Sequence, residues 1–321
     1  MVRPLMTASQ ISAFMPAGRG NFTFPAPYNT QGVRITQPSD CGGQDCVDMI
    51  YSYWRNMSNS AGSNTMYIFV GLDKSRGGQG PTLFSYDKPS GTLTEVGPLF
   101  DSNSPLSWAT GEGWFFSYSM PTKLYMLQGS QLLRYDVLSH AQETVFDTST
   151  QYPNTVMVQA SASNDDNVFS ATLEDASTYA PLGCVAYNAS SKQFYFFPNM
   201  TAAINECQVD KSGRYVLILE QTPQTCATCD LDTVVEDLQT GQQQILLKQS
   251  GGGSHYAMGY GSEIEADAWS MPNAWRYWDL SQPLTQGLSL ATGGLAQGGL
   301  LHHDLDWNVF EPSHVSWENA V

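Results

Sequence analysis

A two-strand pattern returns along this chain at nearly even spacing, and it constrains the fold more than any other feature. In each copy an apolar run ends in an acidic or amide residue, a polar turn follows, and a second β-prone run begins. The copies begin at Leu83, Leu132, Cys184, Thr233 and Arg276. The step is roughly 45 to 50 residues, which is the blade period of a β-propeller. Since one hairpin cannot bury its apolar face alone, the copies must stack on one another.

A second hairpin precedes each of these copies. The clearest runs from Glu206 to Leu219 through the turn Asp210-Lys-Ser-Gly213, where glycine supplies the turn conformation. Comparable pairs of runs are Tyr51–Arg55 with Met66–Leu72, Trp108–Thr110 with Trp114–Tyr118, Val158–Ala162 with Asn167–Leu173, and His255–Met258 with Ile264–Trp269. Two hairpins per period supply four strands. The sequence therefore predicts an all-β fold, a β-propeller of four-stranded antiparallel blades, without an amphipathic helix longer than two turns.

The two ends of the chain bear on the number of blades. Residues 313–320 have the pattern of an opening strand, and the sequence stops at Val321. We predict five complete blades plus part of another, with residues 1–36 as an N-terminal segment and residues 37–321 as the propeller. Because exposed strand edges promote aggregation, either the N-terminal segment closes the last blade or the chain is a fragment of a propeller of about seven blades. We favour the fragment.

Composition limits the kinds of partner. Charged residues make up 14% of the chain and the formal net charge is −16, with only 14 Lys and Arg in total. A phosphate backbone needs clustered basic residues, so nucleic-acid binding is disfavoured, and adhesion to an anionic membrane is disfavoured for the same reason. No run of about 18 apolar residues is present, which predicts no membrane insertion. The charge suits an acidic, soluble, extracytoplasmic protein or one that holds cations.

The six cysteines favour an oxidising compartment but leave their pairing open. Cys41 with Cys46 and Cys226 with Cys229 would each close a short loop as local disulfides, which leaves Cys184 and Cys207 as free thiols. The alternatives are a zinc site built from the two pairs, or buried free thiols. No apolar stretch of about 7 to 15 residues follows a basic start, so no signal peptide is present in the sequence. We predict a periplasmic or secreted protein.

The histidines are the most informative candidate site residues. They are His140, His255, His302, His303 and His314. His255 and His314 each begin the innermost strand of a blade, and Glu206 and Gln159 hold the corresponding place in the two blades before. In a propeller such positions converge at the mouth of the central channel. Two imidazoles and a carboxylate there suit a divalent metal such as Mn, Ca or Zn. The alternative is that they line the channel and bind backbone or water.

Aromatic and basic residues near the strand starts offer further contacts. Trp108 and its neighbours have two uses, because an aromatic face stacks well on a sugar ring and equally well between blades. Arg55 follows Tyr53 and Trp54 at an innermost strand. Its guanidinium could hold a ligand carboxylate through two hydrogen bonds, or pair with an acidic neighbour. No Gly-x-Ser-x-Gly nucleophile motif, phosphate-binding loop or EF-hand is present in the sequence.

One hairpin carries a family resemblance. The run from Asp210 to Ile218 resembles the Ser-Pro-Asp-Gly-Lys-type hairpin of TolB-like propeller repeats and is similar to the propeller of oligogalacturonate lyases; residues 164–166 match it in part. The chain as a whole looks like uncharacterised secreted bacterial propeller proteins, which implies a fold without an activity. In oligogalacturonate-lyase-like propellers, histidines and a glutamine hold a metal that binds the uronate carboxylate. Here His255 and His314 match that cluster by position.

These observations favour one function and leave a second open. We predict an extracytoplasmic β-propeller that binds a carbohydrate or protein ligand at its funnel face. The candidate ligand-binding residues are Arg55, Trp108, Gln159, Glu206, His255 and His314, of which Glu206, His255 and His314 are also candidate metal ligands. The alternative is a metal-assisted lyase or hydrolase acting on an acidic polysaccharide, with Arg55 holding the substrate carboxylate. Propellers host both classes, so the sequence leaves open whether the protein is an enzyme.

Overall fold

The computed structural model describes a protein made almost entirely of strands. It covers residues 6–43, 45–48, 54–101, 103–104, 106, 113–201, 203–223, 231–247, 255–267, 274–281 and 288–292; in strands after residue 245 most residues are described by backbone alone. Within them the helices are one short α-helix and two 3-10 turns: α1 (Ala8–Phe14), Pro38–Cys41 and Lys74–Arg76. The fold is all-β, as the repeated hairpins predict.

Among the described residues, no helix has the length and apolar character needed to cross a membrane.

The chain divides into two compact units. The first comprises residues 1–111, 115–124 and 135–142, and the second comprises residues 112–114, 125–134 and 143–321.

The first unit begins with a hairpin and then forms the first blade. The strands are β1 (Gly20–Thr23), β2 (Gln31–Arg34), β3 (Val47–Asp48), β4 (Met57–Ser58), β5 (Thr65–Leu72), β6 (Gly80–Asp87) and β7 (Thr92–Pro98). In the blade, β5 pairs with β6 and β6 pairs with β7, all antiparallel. Both β3 and β4 pair with the other edge of β5. The first strand of this blade is therefore interrupted between Asp48 and Met57.

The N-terminal segment docks on the outer strand of the first blade. Arg19 forms ion pairs with Asp40 at 3.0 Å and with Glu95 of β7 at 2.7 Å. The side-chain amide of Asn21 donates to the carbonyl oxygen of Gly91, just before β7, at 2.9 Å. Within the described residues β1 and β2 pair with each other. The predicted closure of the last blade by this segment involves residues 313–320, which lie outside the described part of the chain.

The second blade corrects one predicted hairpin. Its strands are β8 (Phe115–Phe116), β9 (Lys123–Gln128), β10 (Gln131–Asp136) and β11 (Gln142–Asp147), in that order across the sheet. The prediction that Trp114–Tyr118 is the second strand is wrong, because Lys123–Gln128 takes that place and Phe115–Phe116 lies beside it at the edge of the sheet. The predicted strand at Trp108–Thr110 lies outside the described residues. The turn between β8 and β9 begins at Ser117, whose hydroxyl accepts from the backbone of Ser119 and of Met120.

The remaining three blades follow the predicted hairpins closely. The third is β12 (Thr155–Ala162), β13 (Val168–Asp175), β14 (Pro181–Asn188) and β15 (Gln193–Pro198); the fourth is β16 (Ile204–Val209), β17 (Tyr215–Glu220), β18 (Asp232–Asp237) and β19 (Gln242–Leu247); the fifth is β20 (His255–Met258), β21 (Ser262–Asp267), β22 (Ala274–Asp279) and β23 (Leu288–Thr292). Each is an antiparallel four-stranded sheet with its strands in sequence order. Each first strand therefore lies at one edge of its blade.

Apolar side chains from both faces of the fourth blade pack against its neighbours. One face joins Val216, Ile218 and Val234 to residues of the third blade such as Ala186. The other face joins Leu217 and Leu219 to the fifth blade, where Trp278 and Leu280 are buried in the same cluster. A strand that is buried on both faces has a continuous run of apolar residues instead of an alternating pattern. The sequence of β17, Tyr-Val-Leu-Ile-Leu-Glu, is such a run.

The first hairpin turns of consecutive blades are joined by backbone hydrogen bonds. Asn164 N–H donates to the carbonyl of Lys211, and Lys211 N–H donates to the carbonyl of Gly259, both at 3.0 Å. The turn therefore fixes each blade to the next as well as reversing the chain. This explains why the Asp-Lys-Ser-Gly pattern is the most recognisable part of the repeat.

Two disulfides are present among the described residues, and one was not predicted. The Cys41–Cys46 bond confirms the short predicted loop and excludes that pair from a zinc site. Cys184 of β14 and Cys207 of β16 form the second bond, so the prediction that they are free thiols is wrong. The spacing of Cys184 and Cys207 in the sequence does not indicate that they pair, because the bond depends on how the third blade packs on the fourth. Cys226 and Cys229 lie outside the described residues.

Candidate functional site

The first strands of the third and fourth blades lie side by side. Their contact is fixed by Ser161, whose hydroxyl accepts a hydrogen bond from Val209 N–H at 2.8 Å. Glu206 pairs with Leu219 and His255 pairs with Ala266, and each partner lies three residues beyond the pair that closes its hairpin. In β12 that place belongs to Val158, which pairs with Thr172, and Gln159 is the next residue, in a β-bulge. The backbone thus places Glu206 and His255 at equivalent positions on β16 and β20, with Gln159 beside that position on β12.

Gln159 has an unusual backbone conformation. It lies in a β-bulge of β12, between Val158 and Ser161, with a φ of 56°. A non-glycine residue in the left-handed region costs free energy, and such residues concentrate at binding sites where the surroundings hold them in place. The side chain is half-buried, and its Oε1 accepts from the hydroxyl of Thr172 at 3.3 Å. This hydrogen bond orients the amide so that its NH₂ points away from Thr172.

Glu206 is a buried carboxylate on the face that meets the fifth blade. Its register partner is Leu219, and directly opposed residues in antiparallel strands share a face. Leu219 belongs to the cluster that includes the fifth blade, which is the blade of His255. Glu206 is 3% exposed, and the side-chain amide of Gln208 donates to its Oε2 at 3.2 Å. A buried carboxylate requires hydrogen bonds or a cation to offset its lost hydration.

Arg55 lies within the interruption of the first strand of the first blade. Its Nε donates to the carbonyl of Met57 at 2.7 Å, a terminal nitrogen reaches the carbonyl of Ser117 at 3.5 Å, and the guanidinium lies 4.7 Å from the ring centre of Tyr118. Within the described residues no carboxylate forms an ion pair with it. The described contacts of its guanidinium are therefore with neutral groups.

The structure describes the remaining candidates only in part. The backbone of His255 begins β20, and its side chain is outside the described atoms. Trp108 and His314 lie outside the described residues. Among the residues that the structure does describe, no three His, Cys, Asp or Glu side chains lie together so that they could hold a metal ion. Glu206 is thus the one predicted metal ligand whose side chain is described.

Sequence reasoning missed a pair of buried acids in the fourth blade. Glu220 ends β17 and lies directly opposite Asp232, which begins β18; they are 2% and 0% exposed. Burial, followed by the charges of Glu236 and Asp232, raises the pKa of Glu220 to about 7, against the opposing hydrogen bond from Met200 N–H. The only signal was an acidic residue at the end of an apolar run, which also describes a solvent-facing strand end.

No protein-family model matches the chain, and no curated relative matches it. Several solved structures do match the chain in fold. An oligogalacturonate lyase in complex with manganese is 12% identical over 87% of this chain and 73% of its own, with a TM-score of 0.54. An oligogalacturonate lyase from Vibrio parahaemolyticus is 9% identical over 81% and 69%, with a TM-score of 0.53. TolB from Acinetobacter baumannii is 10% identical over 81% and 56%, with a TM-score of 0.45. At these identities the likeness shows the fold alone, a β-propeller like that of the oligogalacturonate lyases.

Proposed function

We propose that the protein binds an acidic carbohydrate at the region shared by its first strands, with a cation mediating the contact. The observation that supports this proposal is the equivalent placement of Glu206 and His255 on consecutive first strands, with Gln159 in the bulge beside that position on the preceding one. A carboxylate and an imidazole at one repeated position, with an amide next to them, form a polar set. Such convergent polar groups are typical of ligand sites.

Charge explains why a cation is part of the proposal. The formal net charge of −16 repels an anionic ligand, so a local positive group must offset it. A divalent ion on Glu206, His255 and His314 is such a group. Manganese, calcium and zinc all accept carboxylate oxygens, and the imidazoles favour manganese or zinc.

A second candidate function is catalysis at the same site. One solved structure of similar fold is an oligogalacturonate lyase in complex with manganese, and this supports a metal-assisted lyase or hydrolase acting on an acidic polysaccharide. In that interpretation the cation neutralises the substrate carboxylate. The disulfides support a periplasmic or secreted location, since such bonds persist in oxidising compartments.

The test combines elemental analysis with binding. The purified protein is analysed for Mn, Ca and Zn, and calorimetry then measures binding of oligogalacturonate with and without added metal. We expect stoichiometric metal, and oligogalacturonate affinity that falls at least about tenfold after chelation or in Glu206→Gln. Neutral oligosaccharides of equal length are the control. Equal affinity for charged and neutral oligosaccharides, or no binding of either, would contradict the proposal. Release of an unsaturated product, followed by its ultraviolet absorbance, would establish the lyase.

A further inference from the structure

We infer that the Cys184–Cys207 disulfide is a positioning element of the ligand site, setting the place of Glu206 relative to the third blade. This inference rests on the proposed function. Cys207 directly follows Glu206 in β16, whereas Cys184 belongs to β14 of the third blade. The bond therefore anchors the first strand of the fourth blade to the blade that carries Gln159.

The backbone near Glu206 needs such an anchor. A register shift between Ile204 and Glu206 breaks the regular pairing of β16 with β17, so Glu206 is the first residue of the regular stretch. Residues beside a bulge have fewer ladder hydrogen bonds to fix them. On the side of the third blade, β16 is held at Val209 by the hydroxyl of Ser161, 2.8 Å away, and at Cys207.

The covalent bond is the strong contact between Cys207 and the third blade. The hydroxyl of Ser170 reaches the carbonyl oxygen of Cys207 at 3.4 Å, near the limit of a hydrogen bond. Both sulfur-bearing residues are fully buried, so the bond is shielded from water and from dissolved reductants. Cys207 directly follows Glu206 in β16. Removing the disulfide should therefore increase the mobility of the backbone at Glu206 more than that of the rest of the strand.

The experiment compares two disulfides in the full-length protein. Cys184→Ala/Cys207→Ala removes the bond near the site, and Cys184→Val/Cys207→Ala preserves more of the buried volume. The matched control is Cys41→Ala/Cys46→Ala, which removes the short loop of the first unit. Calorimetry measures affinity for Mn²⁺ alone and for oligogalacturonate, and hydrogen exchange measures protection of the β16 amides.

We expect both Cys184/Cys207 variants to bind Mn²⁺ about tenfold or more weakly and to lose protection first at residues 206–207, with the control unchanged in both. Unchanged affinity with a lower melting temperature would show a purely structural bond and overturn the inference while leaving the proposed function intact. Unchanged protection at residues 206–207 would also overturn it. Absence of binding by the unaltered protein would overturn the proposed function and this inference together.

Discussion

The backbone N–H of Gly261 in the fifth blade donates a 2.8 Å hydrogen bond to the carboxylate of Asp210 in the fourth. The same carboxylate accepts from the backbone and hydroxyl of Ser212, from Arg214 N–H and from Tyr215 N–H. Asp210 and the Tyr215 N–H that it accepts from are buried, and its other hydrogen bonds are partly buried, so water has limited access to replace the carboxylate. One side chain thus closes its own turn and fixes the following blade.

Replacing Asp210 with Ala is expected to destabilise the protein by roughly 2 to 4 kcal/mol, because several buried N–H groups lose their acceptor. Denaturant unfolding measures the loss. The control is Asp175→Ala, since Asp175 also accepts from its own turn, through Ser177 and Thr178, but lies at the surface. An effect of Asp210→Ala no larger than that of the control would contradict the assigned role.

Replacing Gly213 with Val is expected to cost roughly 1 to 3 kcal/mol. Gly213 has a φ of 75°, and an added Cβ would lie 3.0 Å from Val168 Cγ2 and 3.1 Å from Ser163 Cβ. Gly241→Val separates the two causes, because Gly241 has a φ of 68° but no atom within 4 Å of an added Cβ. Melting temperatures should fall further for Gly213→Val; equal falls would show that backbone strain alone matters.

Stability is expected to decrease as pH rises through neutrality because of Glu220. Its pKa is raised from 4.5 to about 7, so the folded protein binds this proton more tightly than the unfolded chain. The stabilisation is complete below about pH 4.5 and is lost above about pH 7, a change of at most about 3 kcal/mol. Asp147 and Asp237 have pKa values lowered to about 2, so their contributions change only in more acidic solution. Unfolding titrations should show the decrease, and Glu220→Gln should flatten it; an identical profile would refute the assignment.

A thiol titration of the unreduced, denatured protein should find no more than two free thiols. Cys41, Cys46, Cys184 and Cys207 are bonded in two disulfides, which leaves Cys226 and Cys229 as the remaining cysteines. Peptide mapping by mass spectrometry should recover the Cys184–Cys207 pair as one linked species. Six reactive thiols would place the protein in a reducing compartment and contradict the predicted location.

The histidine substitutions His255→Ala and His314→Ala are expected to leave the melting temperature nearly unchanged and to weaken metal or acidic-ligand binding about tenfold or more. Polar residues at a binding site add little core burial, so their loss should affect the ligand first. His140→Ala is a suitable control, because His140 lies in a surface turn and pairs with Asp101. Melting temperatures several degrees lower with unchanged binding would identify both histidines as structural.

Local patterns predicted most of the fold, because each hairpin is encoded by residues close together in the chain. The hairpins containing Asp210 and Cys184 were predicted to within a few residues. The pattern failed at Ser117, which forms a turn within a run, Trp114–Tyr118, that was predicted to be one strand. It failed again at Cys207, since a bond between blades depends on packing that spacing cannot show. The same limit applies to Glu220, whose burial and raised pKa arise from neighbours in other strands.

For the candidate site, counting residues back from each hairpin turn gave the same register for Glu206 and His255, since their strands pair regularly from the turn to that position. The count was one residue off for Gln159, because a β-bulge puts Val158 at that register in the third blade. The left-handed backbone of Gln159 could not be foreseen, because it depends on a bulge specific to the third blade.

The hydrogen bonds from Asn164 to Lys211 and from Lys211 to Gly259 have a direction, and this bears on how such a chain can grow. Lys211 offers its N–H to the next blade and its carbonyl to the preceding one, so the two interfaces of the fourth blade have the same polarity at this turn. A duplicated blade inserted at either interface would find a donor on one side and an acceptor on the other. At these two interfaces the chain can therefore lengthen by a whole blade without leaving the turn's N–H or carbonyl unmatched.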